Sequence, residues 1–159
     1  MFKTNNISPN PFKINNNFPY KLVSVVFLFD HNDNILMQLR DNNPDISCPN
    51  MWGPVGGHCK VGESPYDCCL RELYEETNYK ETTINWYKNY LIPYDRLVNN
   101  NEHYVTIFWA NFDYKQKILC NEGQKMSFLT IDNLKKLNTL KHNILWIEGI
   151  LNQKKVNKK

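Results

Sequence analysis

The pattern of apolar and polar positions divides this chain into short strands and a few helices. The continuous apolar, β-branched run KLVSVVFLFD at 21–30 predicts a central strand with both faces buried. After the polar turn HNDN, the loosely alternating segment ILMQLR at 35–40 predicts a strand that pairs back on the first. Further strands are predicted within 51–63 and at 83–92, 103–112 and 125–130.

A central helix is predicted after the glycine-rich segment 51–63. Ser64 is a suitable N-cap, Pro65 suits the first helical position, and Asp67 lies where a capping box has its acid. Residues at helical spacing predict its buried face: Tyr66, Cys69, Leu70, Leu73 and Thr77. The segments 131–137 and 141–153 predict C-terminal helices. Strands combined with a central and a terminal helix predict an α/β fold, an α/β/α sandwich with a mixed central sheet.

The length and composition indicate one globular domain. A chain of 159 residues can bury a sizeable core, and we expect a flexible N-terminal arm at 1–19, a domain at 20–152 and a basic tail at 153–159. No apolar run reaches the roughly 18 residues of a membrane span, and the start lacks the apolar core of a signal peptide. A net charge of +3 without a continuous basic stripe argues against nucleic-acid binding.

The five cysteines indicate the redox compartment. Their odd number, without a secretory signal, favours a reducing cytoplasm, and their spacing matches no zinc site. We expect these thiols to act as small buried hydrophobic groups.

The segment RELYEETN at 71–78 gathers three carboxylates on one helical face. Glu72, Glu75 and Glu76 stand at positions i, i+3 and i+4. Like charges at this spacing destabilise a helix by about 0.2–0.5 kcal/mol per pair, and the helix dipole disfavours anions near the C-terminus. A divalent cation would offset the repulsion, and carboxylate oxygens suit Mg²⁺ or Mn²⁺. An acidic surface helix is the alternative that these three residues alone leave open.

The flanking residues extend this cluster into a longer motif. GHCKVGESPYDCCLRELYEETNY at 57–79 resembles the Nudix box, G-x5-E-x7-R-E-U-x-E-E-x-G-U, in which U is bulky and apolar. The matching polar and glycine positions are Gly57, Glu63, Arg71, Glu72, Glu75 and Glu76. Asn78 stands where the box has its second glycine. Because Asn is the next-best residue in the left-handed conformation that ends a helix, this departure predicts little effect on chemistry.

The resemblance to the Nudix family implies a Nudix-type sandwich and a hydrolase that uses Mg²⁺ (or Mn²⁺). Its members hydrolyse a nucleoside diphosphate linked to another group, by attack of water on phosphorus. Glu75 and Glu76 are implied to be the main metal ligands, with the Gly56 carbonyl as a backbone ligand. Glu72 is implied to be a ligand or the general base. Arg71 and Glu63, as an ion pair, are implied to orient the helix and the loop.

Residues outside the box complete the set of candidates. Glu122 in CNEGQ is a candidate further ligand or base, and a surface turn is its alternative. Arg40 is a candidate phosphate contact or an ordinary strand-end ion-pair partner. His58 either lies near the site or faces solvent, and His103 has no supporting context. Aromatic residues that form either a base-stacking wall or core are Trp52, Tyr87, Tyr90, Tyr94 and Trp109.

The resemblance leaves the substrate open. The leading expectation is a nucleoside triphosphate pyrophosphohydrolase that releases a nucleoside monophosphate and pyrophosphate. The alternatives are a nucleotide-sugar or ADP-ribose hydrolase and a non-catalytic nucleotide-binding module. Pro93 and Tyr94 lie near positions that mark ADP-ribose and dinucleoside polyphosphate hydrolases and decide for neither. The expected partner is a nucleotide, with no membrane or nucleic acid, and a homodimer remains open.

Overall fold

The computed structural model describes residues 3–5, 20–92 and 102–156, which form one mixed sheet with helices on both faces. The strands are β1 (Lys3–Asn5), β2 (Lys21–Phe29), β3 (Ile35–Leu39), β4 (Trp52–Gly53), β5 (Val55–His58), β6 (Asn85–Ile92), β7 (His103–Asn111) and β8 (Lys125–Leu129). The helices are α1 (Pro65–Thr77), α2 (Ile131–Leu134) and α3 (Lys141–Val156). The strand order is β1-β6-β7-β2-β3-β4, with β5 paired to β2 and β8 paired to β3.

Strand β2 is the centre of the sheet and is buried along almost its whole length, as the sequence predicts. It pairs in parallel with β7, from Lys21 opposite His103 to Phe29 opposite Asn111. Its predicted pairing with β3 occurs at Phe29 and Ile35. Farther from the turn, β5 pairs antiparallel with β2 instead. This arrangement places the glycines of β5 directly beside the central strand.

Alternate residues of β2 contact different helices, which defines the three layers. Val26 and Leu28 belong to a core cluster that includes Cys69 and Leu73 of α1. Val25, Phe27 and Phe29, whose side chains point the other way, belong to a second cluster with buried side chains of α2 and α3: Leu134, Trp146, Ile147 and Ile150. Because successive side chains of a strand point to opposite faces, one apolar strand supports both layers. The predicted α/β/α sandwich with a mixed sheet is confirmed.

Helix α1 begins and ends where the local sequence signals place its boundaries. The Ser64 side chain accepts a hydrogen bond from the Asp67 backbone N–H at 3.1 Å, and Pro65 is the first helical residue. The helix stops at Asn78, whose φ of 57° is left-handed. The predicted buried face is correct for three of its residues, while Tyr66 and Leu70 are half-buried. Glu76 is buried as well, which the sequence did not predict.

Several boundary and burial predictions need correction. Residues 3–5 of the predicted arm form β1 on the edge of β6, and α3 continues through residues 153–156 of the predicted tail. The rest of the arm and tail, together with Pro93 and Tyr94, lies outside the described residues. Three cysteines are buried as predicted, but Cys59 is half-buried and Cys120 is exposed. No helix in the described ranges is long and apolar enough to cross a membrane.

Candidate active site

The glycines of β5 allow α1 to approach the sheet with an acidic side chain between them. Gly56 has a φ of 142°, which L side chains rarely adopt, and a Cβ there would lie 2.2 Å from the Ser24 carbonyl oxygen. A Cβ on Gly57 would lie 2.8 Å from the Glu72 carboxyl group. Gly56 therefore allows β5 to lie close to β2, and the absence of a side chain at Gly57 allows the Glu72 carboxylate to lie against the β5 backbone.

Arg71 binds three of the box glutamates through its guanidinium group. Nε donates to Glu63 Oε1 at 2.6 Å and Nη2 donates to Glu63 Oε2 at 3.0 Å, so the expected ion pair is present and bidentate. Nη1 donates to Glu72 Oε1 at 2.6 Å and to Glu75 Oε2 at 2.8 Å. Hydrogen bonding to Arg71 lowers the pKa of Glu63, and the acids raise the pKa of Arg71. Arg71 thus joins the loop before α1 to the acidic face of the helix.

Glu76 points into the protein, away from Arg71. Its Oε1 accepts from the Gly56 N–H at 3.0 Å, and its Oε2 accepts from Gln38 Nε2 at 2.8 Å. Burial raises the pKa of Glu76 to about 8, and the charges of Glu122 and Glu72 contribute to the rise against these two hydrogen bonds. Burial also raises the pKa of Glu72. Ionisation of these two carboxylates is therefore opposed by burial and by neighbouring acids.

Glu122 comes from the loop before β8 and lies beside this cluster. Gln38 Nε2 donates to the Glu122 backbone carbonyl at 2.9 Å while it binds Glu76. The Glu122 carboxylate is exposed, and its charge raises the pKa of both Glu72 and Glu76. The structure thus brings this acid to the box, although the two are far apart in sequence.

The donor chemistry fits a hard divalent cation. Carboxylates whose pKa is raised by burial and by mutual repulsion gain from a cation, and Mg²⁺ prefers such oxygen ligands. The Glu72 Oε2 atom accepts no hydrogen bond from the described residues, while its Oε1 is bound to Arg71. However, no three His, Cys, Asp or Glu side chains among the described residues converge as a ligand set. The reason is that Arg71 draws Glu72 and Glu75 to one side, whereas Glu76 is bound to Gly56 and Gln38.

A cavity of about 430 Å³ lies next to the carboxylates, within the range of roughly 300–1,000 Å³ typical of small-molecule sites. One part of its wall is polar and contains Gly56, Gly57, Glu72 and Glu122. The remainder is largely apolar and aromatic and includes Val23, Val25, Met51, Trp52, Ile92, Val105, Leu140 and Trp146. The cavity therefore joins an apolar compartment to the acidic cluster.

Both predicted substrate-binding residues line this cavity. Arg40 Nε donates to the Ser47 carbonyl at 2.8 Å, so its position is fixed by the loop after β3. Burial lowers the pKa of His58, and the neighbouring His103, Lys21 and Arg40 lower it further, which favours the neutral imidazole. Other predicted residues lie outside the cavity wall: Glu63, Arg71, Glu75 and Glu76.

Several cavity residues were missed by sequence reasoning. His103 is buried with its ring 5.6 Å from that of His58, and His142 lies 4.3 Å from the ring of Trp146. Asn143 is buried in the same wall. Among the aromatic candidates Trp52 lines the cavity, and Trp109 lines a different one. No local motif marks these positions, because β7 and α3 bring His103, His142 and Asn143 to the site only through tertiary packing.

Comparisons with known proteins agree with this fold. A family model described as NUDIX domain matches residues 19–146. The m7GpppN-mRNA hydrolase NUDT17 of Xenopus laevis is 38% identical over 55 residues, which span 35% of this chain and 18% of that relative. The crystal structure of a MutT protein from Methanosarcina mazei Go1 has a TM-score of 0.65 at 17% identity, with 90% of this chain and 99% of that chain covered. The NUDIX domain of Shewanella oneidensis NrtR, complexed with ADP ribose, has a TM-score of 0.68 at 19% identity, covering 93% and 94% of the two chains. Since the family model covers most of the sequence and the structural matches share its fold, this chain belongs to the Nudix hydrolase family.

Proposed function

We propose that this protein is a Mg²⁺- or Mn²⁺-dependent hydrolase of nucleoside diphosphate derivatives, with nucleoside triphosphates as the leading substrates. The products would be a nucleoside monophosphate and pyrophosphate. The observation that carries this proposal is that one cavity joins the apolar compartment, which includes Trp52 and Trp146, to the carboxylates Glu72 and Glu122. A base in the apolar compartment would extend its phosphates toward these acids.

The acidic cluster would hold the cation through Glu72, Glu75 and Glu76, with Glu122 and the Gly56 carbonyl as further candidate ligands. A bound Mg²⁺ would neutralise phosphate charge and make an attacking water more acidic. The proton released by that water would pass to Glu72 or Glu122, both of which line the cavity. The oxygen of the water would form a new bond to phosphorus as the P–O bond to the leaving group, pyrophosphate or the nucleoside monophosphate, breaks.

The remaining residues would orient the substrate and the acids. Arg71 holds Glu63, Glu72 and Glu75 in one hydrogen-bonded group, so its role would be structural support for the catalytic helix. Arg40, which lines the same cavity, would attract phosphate oxygens, and the neutral His58 would offer a hydrogen bond without added charge. Stacking of a base on an aromatic side chain contributes about 1–3 kcal/mol in other nucleotide sites.

A second candidate function is hydrolysis of ADP-ribose or a nucleotide sugar. It is supported by the similarity in fold to the NrtR domain, whose structure contains ADP ribose, over 93% of this chain. The same cavity would accept one nucleoside, and the second sugar would lie beyond the carboxylates toward solvent.

A substrate panel tests both candidates. Nucleoside triphosphates, ADP-ribose, nucleotide sugars, diadenosine polyphosphates and a capped dinucleotide should be incubated with Mg²⁺ or Mn²⁺, and the products separated by chromatography. We expect turnover of at least one class, and its loss in the Glu75→Gln, Glu76→Gln double variant. No turnover of any compound, or turnover unchanged in the double variant, contradicts the proposal. Calorimetry that shows tight metal-dependent nucleotide binding without product would identify a binding module instead.

A further inference from the structure

The loop at 119–124, called here the Glu122 loop, caps the C-terminal end of α1. An α-helix leaves its last carbonyls without partners inside the helix. Here the Asn121 N–H donates to the Glu76 carbonyl at 2.9 Å, and the Leu119 N–H donates to the Thr77 carbonyl at 2.9 Å. Asn121 Nδ2 donates to the Glu75 carbonyl at 3.0 Å. The loop therefore binds the backbone of the same helical turn that carries the acidic side chains.

The other side of the Glu122 loop is bound to β3. The Gln124 N–H donates to the Leu39 carbonyl at 2.8 Å, and Gln38 Nε2 donates to the Glu122 carbonyl at 2.9 Å. Gly123 has a φ of 76°, and a Cβ there would lie 2.6 Å from the Leu39 carbonyl oxygen. Glu122 thus stands on a short bridge between the end of α1 and the end of β3.

Asn78 adds a contact that the glycine of the Nudix box cannot make. Its φ of 57° gives the left-handed helix end, and its backbone N–H donates to the Tyr74 carbonyl. In addition, its Oδ1 accepts from Asn121 Nδ2 at 3.0 Å. Both Nδ2 hydrogens of Asn121 are therefore used at the helix end, one by Glu75 and one by Asn78.

We propose that Asn121 is a positioning residue that holds the loop carrying Glu122 beside Glu72 and Glu76, and that Asn78 is its specific partner. Removal of the Asn121 amide leaves the Glu75 carbonyl and Asn78 Oδ1 to solvent and loosens one attachment of the Glu122 loop. Glu122 then samples positions farther from the other acids, whether its role is that of ligand or of base. The catalytic part of this inference rests on the proposed function, whereas the attachment of the loop does not.

The catalytic part is tested by variants measured alone and combined. We expect Asn121→Ala to lower kcat by at least ten-fold with KM within about two-fold of wild type. In the Glu122→Gln background the same change should lower kcat by less than two-fold, because its effect passes through Glu122. Because of its contact with Asn121, Asn78→Gly should lower kcat by a few-fold in wild type, rather than have the little effect expected from the sequence, and should have no effect in Asn121→Ala. Multiplicative losses for Asn121→Ala and Glu122→Gln would overturn the proposal.

The attachment of the loop is tested without any substrate. Hydrogen exchange of the Leu119 and Asn121 amides should accelerate at least ten-fold in Asn121→Ala, since these amides donate to the helix end. The matched control is Thr130→Ala, which removes the side chain that accepts from the Asn133 N–H at the start of α2. It should lower the Tm by a few degrees and leave kcat and these two amides unchanged. Unaltered exchange in Asn121→Ala overturns the proposal even when the substrate panel finds no turnover.

Discussion

Replacing Gly57 with alanine moves one catalytic candidate without changing its chemistry. The new Cβ would lie 2.8 Å from Cδ and Oε2 of Glu72 and 2.9 Å from Oε1. The carboxyl group must therefore move by about 0.6 Å, the difference between 2.8 Å and the 3.4 Å at which ordinary contact begins. Gly57 does not have a positive φ, so its backbone accepts alanine without strain.

We expect the Gly57→Ala change to affect catalysis more than stability. The obstructing atoms form the flexible end of the Glu72 side chain, and we expect the free energy of unfolding to change by less than about 1 kcal/mol. Catalysis is more sensitive, because a misplacement of about 1 Å can lower a rate by roughly 10²-fold. For a shift near 0.6 Å we expect a fall in kcat of about ten-fold, equivalent to about 1.4 kcal/mol of transition-state stabilisation.

The assay is steady-state kinetics on the best substrate of the panel, together with thermal unfolding. The matched control is Gly53→Ala, in which the nearest atom to the new Cβ would be Arg40 Cδ at 4.0 Å, an ordinary contact. This variant should keep kcat within about two-fold of wild type. If Gly57→Ala folds normally and also keeps kcat within about two-fold, catalysis does not depend on the position of the Glu72 carboxylate beside β5, and the reasoning fails.

Three further predictions concern Arg71 and its acidic neighbours. Arg71→Lys should lower kcat by at least about ten-fold, because one ammonium group cannot reproduce the bidentate contact with Glu63; full activity in steady-state assays would contradict this. Since Arg71 lowers the pKa of Glu63, the contribution of Glu63 to stability is complete above its ordinary pKa of 4.5 and is lost as pH falls below it. In Glu63→Gln the free energy of unfolding, measured with denaturant at several pH values, should therefore fall less steeply below pH 4.5 than in wild type. An unchanged fall would argue against the Arg71–Glu63 pair. Glu76 has a pKa raised to about 8, so metal-free stability should fall as pH rises from 4.5 through 8, and thermal unfolding of Glu76→Gln should lack this fall.

The elements near the box were predictable because their signals are local. The N-cap at Ser64, the following proline and the left-handed Asn78 together fix where α1 begins and ends. The double-sided burial of β2 likewise follows from a continuous apolar run. For these elements, residues that are close together in the sequence determine the bounds of the helix and the burial of the strand.

The cavity and the position of the Glu122 loop could not be predicted from local sequence signals. Asn121 contacts Glu75 across 46 positions of sequence, and Gln38 contacts Glu122 across 84. Trp146 reaches the cavity wall from α3, and its signal in the sequence is that of an ordinary core aromatic. Such contacts depend on the order of strands in the sheet, which periodicity does not encode.

The three glutamates of α1 share one helical face in the sequence but occupy different environments in the structure. The Glu75 side chain is 51% exposed and its charge is balanced by Arg71, with Lys60 3.8 Å away. Glu72 is half-buried with one oxygen on Arg71, and Glu76 is buried without a cationic partner among the described residues. A shared helical face therefore does not mean a shared environment, and burial raises the pKa of Glu72 and of Glu76. A cation that binds here would favour the ionised form of Glu76, which burial and the neighbouring acids oppose, whereas Glu75 already has its counter-ion. Arg71 reaches Glu72 and Glu75 but not Glu76, so Glu76 is the carboxyl group of RELYEETN whose ionisation would depend on a bound cation.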